Sequence, residues 1–447
     1  MSVKKKILIL SFTIVAAMLA TGCLSISADE LYRVPEVSAE YIRLQAQINM
    51  LQNQGAEFSP PIGGPNRQAV QLRDLNGTGT NEVIAFFSIP GQSTLQVYIF
   101  ELVDGDYTVT DIIHGAGTDI ESVRYVDMDG SGTKQLVIGW QMGPALRYMS
   151  IYSLSGLHSQ VLVSGVEYSD IAVYDITGDG FDDVIVFMLP TQEMGAIAEV
   201  YSLMQDGEII KTAARLSSGI ESISRIQTGK LLDGVPAIFV DSEGTFAGGG
   251  LVTDILVIFD NSLSNISLVA ASGVSETTVR NRMSSSDINR DSIVKIPYLR
   301  LLIAQSDTDY FAIDWYAFTS SGQSRRILTT YHNNFDEWFL ILPDDWREKV
   351  SVRREDSVPG QRTIIFSYFG DGDGSHEDFL EVMKLSGDNA REKAQQDGRV
   401  LLLSEGAAAY SFKILAPPDS FGLTFNEEVI RANFRLIYSD WLTGRGT

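Results

Sequence analysis

The sequence predicts a mainly β chain: a β-propeller of about five four-stranded blades followed by a C-terminal α+β domain. Three observations predict it. One phrase occurs three times, as Asp74-Leu-Asn-Gly-Thr-Gly-Thr-Asn-Glu82, Asp127-Met-Asp-Gly-Ser-Gly-Thr-Lys-Gln135 and Asp175-Ile-Thr-Gly-Asp-Gly-Phe-Asp-Asp183, each followed at once by an apolar run. The copies start 53 and 48 residues apart, a period that marks a propeller or solenoid built from one supersecondary unit. Short apolar segments punctuated by Gly, Asp and Ser turns fill the intervals, as in all-β folds with evenly spaced strands. A four-stranded unit repeated this way is a propeller blade, and closing the ring removes exposed sheet edges.

The elements follow in order. Lys4, Lys5 and Lys6 precede an apolar stretch, 7–20, that is short for a membrane span and ends in Leu19-Ala-Thr-Gly-Cys23. That is the anatomy of an export signal, and residues 1–22 are expected to be removed. The segment 23–65 is a tether with a short amphipathic helix at 40–54, where Tyr41, Ile42, Leu44, Ile48 and Leu51 keep a loose 3–4 spacing. Pro60-Pro-Ile-Gly-Gly-Pro65 ends it. The propeller is assigned to 66–332. Its first unit has strands at 68–72, 83–87, 95–101 and 107–113; the second at 122–126, 136–140, 147–154 and 159–163; the third at 171–174, 184–188, 199–205 and 208–213. A fourth, at 222–226, 236–241, 254–260 and 266–271, has lost the spaced acids of its loop, 227–235. A fifth starts at Asp287-Ile-Asn-Arg-Asp291, with Ser292 at the glycine position and Lys295 at position 9, so no metal is expected there; strands at 299–305, 309–319 and 325–331 complete it. From residue 335 the rhythm changes, and 335–447 reads as a separate α+β domain. It has strands at 337–342, 350–355, 363–369, 379–385, 399–404 and 408–415, a short helix at 389–396 and a helix at 426–438 carrying Val429, Ile430, Phe434 and Ile437 on one face.

In each phrase oxygen-bearing residues stand at positions 1, 3 and 5, with Gly at 6. A loop of that pattern wraps a hard cation such as Ca²⁺ with side-chain oxygens, one carbonyl and a sharp glycine turn. Asp, Asn and Gly also populate tight turns for backbone reasons alone. Three copies in register, each ahead of an apolar strand, favour the cation. An EF-hand is excluded, because position 12 is Ala85, Ile138 or Val186 instead of an acid. The phrase Gly370-Asp-Gly-Asp-Gly-Ser-His-Glu-Asp378 brings its glycine too early and reads as a hairpin tip.

The phrase between two strands resembles the calcium loops of FG-GAP/VCBS-type repeats, found in integrin-like propellers. The resemblance spans the repeat region, and it implies Ca²⁺ in the hairpin between the first two strands of a blade. Carried over by position, the first loop offers Asp74, Asn76, Thr78, the carbonyl of Thr80, and Glu82. The second offers Asp127, Asp129, Ser131 and the carbonyl of Thr133, with Gln135 in place of the acid. The third offers Asp175, Thr177, Asp179, the carbonyl of Phe181, and Asp183, and by charge count ranks first. The segment ending at Cys23 resembles a bacterial lipobox, which implies lipidation of that cysteine; an ordinary secretory signal is the other reading. Lipobox, helix, Ala69-Val-Gln-Leu-Arg-Asp74, Gly115-Ala-Gly-Thr118 and tail together resemble FG-GAP/VCBS-repeat lipoproteins of Gram-positive bacteria such as Clostridia.

Composition bounds the function. The chain of 447 residues carries 34 Lys+Arg against 57 Asp+Glu, a net charge of −23. Removing residues 1–22 takes three lysines and no acids, leaving 31 against 57, or −26. Nucleic acid is therefore not an expected partner, and neither is electrostatic docking on anionic lipid. Cys23 is the only cysteine, so no disulfide framework exists. His114, His158, His332 and His376 lie far apart, and no HExxH, G-x-S-x-G or P-loop occurs. No catalytic residue is assigned. The aromatic pairs Trp315/Tyr316 and Trp338/Phe339 read as core. The expected role is a lipid-anchored extracytoplasmic module that binds or scaffolds an envelope protein or glycan, touching membrane only through its anchor. The alternative is an extracellular carbohydrate-active propeller enzyme, with inner-face acids working as a pair.

Overall fold

The computed structural model describes residues 39–91, 94–245, 250–279, 283–303, 308–370, 376–417 and 420–437. Cys23 and the export signal lie outside the described residues, as do residues 371–375 of the phrase Gly370–Asp378.

The chain is mainly β, in antiparallel sheets that follow the sequence. Helix α1 (Ala39–Asn53) precedes the first sheet. That sheet holds Val70–Arg73, Glu82–Ile89, Thr94–Val103 and Asp106–Ala116, with Glu57–Phe58 paired beside Val70–Arg73 on the same neighbour. The edge strand is thus split, and Pro60 and Pro61, which lack a donor for the ladder, sit in the excursion. The second sheet is Asp119–Val126, Gln135–Gln141, Arg147–Ser153 and Gln160–Glu167. The third is Asp170–Tyr174, Asp183–Met188, Ile197–Leu203 and Ile209–Arg215. The fourth is Ile220–Lys230, Pro236–Gly244, Leu251–Phe259 and Ser262–Asn265.

Successive sheets share cores face to face. In the first sheet Ile84 and Phe86 share one core with Ile138 and Trp140 of the second. Val137 and Ile151 join Val184 and Val186 of the third, whose Ile185 and Phe187 join Ile238 and Val240 of the fourth. Ala237 and Phe239 then meet Ile296 and Phe318 of the fifth. The second strand of each sheet is therefore buried on both faces, which is why it reads as an unbroken apolar run instead of an alternation. The two end faces of the stack are covered by helices. Leu44 and Ile48 of α1 cover Val83, Ala85 and Phe87 of the first sheet. At the other end Ala390 of α2 (Ala390–Lys393) joins Met383, Leu385 and Ala409 of the sixth. Terminal faces of a repeat array need such caps to keep apolar surface from water.

Three differences from the sequence reading stand out. The fifth sheet, Ile296–Leu301, Phe311–Phe318 and Ser324–Asn333, continues through Trp338–Leu342 and ends on Phe434–Leu436, so its ladder crosses the expected boundary at 335. A sixth sheet of five strands follows, from Val350–Glu355 to Val400–Glu405 and Ala408–Ile414. The expected helix at 426–438 is α3 (Glu427–Asn433) alone. Asn426 caps it by accepting from the Val429 N–H at 2.9 Å, and the chain turns extended at Phe434, whose ring stacks on Trp338. The outer strand of the fourth sheet is Ser262–Asn265 and not 266–271. Asn265 and Ser267 are drawn inward by the buried carboxylate of Asp254, with Asn265 Nδ2 at 2.7 Å from Asp254 Oδ1 and the Ser267 hydroxyl at 2.9 Å from Asn265 Oδ1.

Candidate metal loops

Each acidic phrase forms the turn between the first and second strands of its sheet. Positions 4 and 6 have positive φ in all three: Gly77 and Gly79 at 70° and 82°, Gly130 and Gly132 at 69° and 81°, Gly178 and Gly180 at 77° and 94°. Glycine enters that region without a Cβ penalty. Gly130 is fixed a second way, since a Cβ there would stand 2.0 Å from the ring of Phe181.

In the first loop Asp74 accepts the N–H of Thr78 at 3.1 Å and of Gly79 at 2.9 Å. In the third, Asp175 accepts Asp179 at 3.1 Å and Gly180 at 2.9 Å, and Asp179 accepts Phe181 at 2.9 Å. The second loop departs from this. Asp127 Oδ2 lies 3.3 Å from the ammonium of Lys134, and Asp127 Oδ1 is buried with no hydrogen-bond partner.

Position 9 has a role the sequence did not reveal. Glu82 takes the N–H of Leu75 at 2.7 Å, Gln135 that of Met128 at 2.7 Å, and Asp183 that of Ile176 at 3.0 Å. All three are buried beneath the loop and close it onto its own second residue. An amide does this as well as an acid, which accounts for Gln135. Burial pushes the carboxyls of Glu82 and Asp183 up from their ordinary values, against the amides that hold them. With position 9 turned under, the remaining donors are carboxylates, Asn, Thr or Ser oxygens and a carbonyl. Accordingly, no three acid, histidine or cysteine side chains converge among the described residues.

The fifth loop tests whether this donor set fits a cation. Its backbone repeats the others: Asp287 accepts Asp291 N–H at 2.9 Å and Ser292 N–H at 2.8 Å, and Asp291 accepts Ile293 N–H at 2.9 Å. Arg290 and Ser292 hold the positive φ values, 60° and 67°, that glycines hold elsewhere. Into this loop Lys295, fully buried, folds back its ammonium. The nitrogen stands 2.5 Å from Asn289 Oδ1, 2.5 Å from Asp291 Oδ1, 2.7 Å from the Ile293 carbonyl and 3.6 Å from Asp287 Oδ1. Positions 1, 3, 5 and 7 thus converge on one positive charge. The same positions in the first and third loops present Asp74, Asn76, Thr78 and Thr80, and Asp175, Thr177, Asp179 and Phe181, so their residues fit a cation. Because an L residue strains in that φ region, Ser292→Gly is expected to stabilise the chain by about 0.5–1 kcal/mol. A rise in the urea midpoint at unchanged slope is the readout, and a fall would reject the strain.

The loops form a row. Lys134 N–H donates to the Leu75 carbonyl at 2.7 Å, Asp182 N–H to the Asp127 carbonyl at 3.0 Å, and Val294 N–H to the Lys230 carbonyl at 3.1 Å. Residues singled out elsewhere are structural. Trp315, Trp338 and Phe339 are core, and burial pushes His332 down to about 3, a neutral ring 2.8 Å from Thr330 Oγ1. Asp378 pairs with Arg353 at 2.6 Å.

No protein-family model matches this chain, and no curated protein matches it. Among solved structures, the chain is similar to a crystal structure of a Lactobacillus plantarum protein, a structural-genomics target. The identity is 8% and the TM-score 0.27, over 71% of this chain and 85% of that one.

Proposed function

We propose that this chain is a binding and scaffolding module held outside the cell by a lipid on Cys23, with its sheets wound as an open, propeller-like array. Its row of loops takes up Ca²⁺, and the face they stiffen engages an envelope protein or glycan. The observation that supports this most is the fifth loop, where positions 1, 3, 5 and 7 already gather around the Lys295 ammonium. The third loop, with two carboxylates free of position 9, fills first, then the first loop. The second fills last, because Lys134 competes for Asp127. Few charged ligands place the affinities near those of extracellular calcium modules, on the order of 10⁻⁴–10⁻³ M.

The test is capture from an envelope extract with the chain as bait, in calcium and again in chelator. A partner retained only in calcium is the expected result. Equal retention in both removes the metal from binding, and no retention in either overturns the module. In parallel, Cys23→Ala is expected to leave the membrane fraction; unchanged membrane retention overturns the anchor.

A further inference from the structure

Beside the first two loops lies a cleft of about 580 Å³, lined by Asn66, Arg73, Asp74, Arg124, Tyr125 and Lys134, among others. Three cations line it in a chain that carries 57 acids against 34 Lys+Arg. Among the described residues neither Arg73 nor Arg124 stands in an ion pair, while nine other arginines do. The one acid in this lining is Asp74, and its two oxygens are turned to the amides of Thr78 and Gly79; of the three cations only Lys134 is paired, with Asp127 at 3.3 Å.

Both guanidiniums are held and still have donors to spare. Arg73 donates to the Leu72 carbonyl at 2.8 Å and to Asn66 Oδ1 at 2.7 Å, and lies 5.5 Å from the centre of the Tyr125 ring. The Tyr125 hydroxyl is fixed in turn on Gln71 Oε1 at 2.7 Å. Arg124 donates to Ser122 Oγ at 3.1 Å and to the Ile171 carbonyl at 3.3 Å. Each guanidinium has five N–H groups, so three on each are not engaged by these bonds. Their positions come from strands of the first and second sheets, Val70–Arg73 and Asp119–Val126, and from the loop that Lys134 ties to Leu75.

We propose that this cleft binds an oxyanion, the carboxylate, sulfate or phosphate group of a small ligand, between the Arg73 and Arg124 guanidiniums with Lys134 beside them. Planar forks of N–H donors match such anions in geometry and charge. Burial also pushes the Arg124 guanidinium down from its ordinary value, against the charges of Glu121 and Asp170, and a bound anion would act in the same direction as those acids. The inference names a ligand class for the module proposed above but stands on these residues alone; a chain that failed to take up calcium would leave it intact.

The test is calorimetric titration of the full chain, in calcium-free buffer, with inorganic sulfate, inorganic phosphate and glucuronate separately. Saturable binding of at least one is expected, and the tightest of the three tells whether the group is carried by a sugar acid or is a free ion. Arg124→Gln and Arg73→Gln are each expected to weaken it at least tenfold, as loss of a charge-assisted bond does. Arg124→Lys, which keeps the charge and loses the fork, should fall between. Lys211→Gln, on a third-sheet cation paired with Glu199, should change nothing. Thermal unfolding of each variant separates lost binding from lost fold. No saturation with any of the three probes by the wild-type chain overturns the proposal. So does binding that folded Arg73→Gln and Arg124→Gln retain in full.

Discussion

Replacing Lys295 with glutamine is expected to cost about 2–3 kcal/mol of stability, by removing one partner of a buried charge cluster. The ammonium is fully buried, whereas Asp287 and Asp291 keep 25% and 36% of their side chains exposed. Water at the acids moderates the loss. Asp291 adds a pH signature. Burial alone would raise its carboxyl, yet the hydrogen bonds from Lys295, the Ile293 amide and Asn289 outweigh burial and hold it below its ordinary value. A carboxyl lowered in the folded state stabilises fully above the unfolded value, about 3.9, and loses that contribution as pH falls through the lower folded one. Lys295→Gln should therefore show a shallower acid limb than the wild type. Lys295→Glu carries the argument further. Its carboxylate can close onto the Ile288 amide as Glu82 closes onto Leu75, leaving the oxygens of positions 1, 3, 5 and 7 to an external ion. That variant should regain in calcium what it loses in chelator, about 2.7 kcal/mol when calcium stands a hundredfold above the dissociation constant. Urea unfolding followed by tryptophan fluorescence, with and without calcium, reads both variants against the wild type. A glutamine variant as stable as wild type would mean that the ammonium does not hold the loop. A glutamate variant with no calcium gain beyond the wild type's would mean that the loop does not select a cation.

What could be read from the sequence was what one chain segment dictates locally. The second strand of each sheet was legible because burial on both faces leaves an unbroken apolar run, and helix α1 because Leu44 and Ile48 keep helical spacing on one face. The turns were legible because positive φ at position 6 favours glycine, which three of the loops carry there. What could not be read depended on partners far away in sequence. Val429, Ile430, Phe434 and Ile437 continue one periodicity, but Phe434 is buried by Trp338 across a sheet and not by a helix neighbour. The strand shift at 262–265 comes from Asp254, whose carboxylate also takes the Ser217 N–H at 2.9 Å and the Ser217 hydroxyl at 2.7 Å. Lys295 was visible as a break in the motif. That its side chain would return as the motif's own cation was not, since the same residue could have pointed to solvent. Gln135 was read as a lost ligand, although position 9 spends its oxygen on a backbone amide in every loop that has an acceptor there.

A chain ending after Asn334 is expected to lose the fifth sheet while the first three sheets stay folded. Cutting there removes Trp338–Leu342 and Phe434–Leu436, so Ser324–Asn333 becomes an edge with an unpaired ladder. It also strips the core in which Leu302, Ala312 and Tyr331 lie with Trp338, Trp346, Phe366 and Phe379. Truncating a buried aromatic typically costs about 3–5 kcal/mol, so losing three or four such side chains matches the whole net stability of a domain, about 5–15 kcal/mol. The damage should stay local, because in a stack each unit draws its stability from its neighbours, and the first three sheets keep theirs along with the α1 cover. The complementary piece, from residue 335 onward, would hold Trp338–Leu342 and Phe434–Leu436 with no Ser324–Asn333 to pair with, and Asp336 would keep its Arg362 contact but lose the Asn333 amide that donates to it at 2.9 Å. Hydrogen exchange on the shortened chain should show 311–333 unprotected and 135–141 and 183–188 protected as in the full chain. If 311–333 were protected to the same degree in both, the fifth sheet would be complete without its C-terminal strands, and residue 335 would open an independent domain after all.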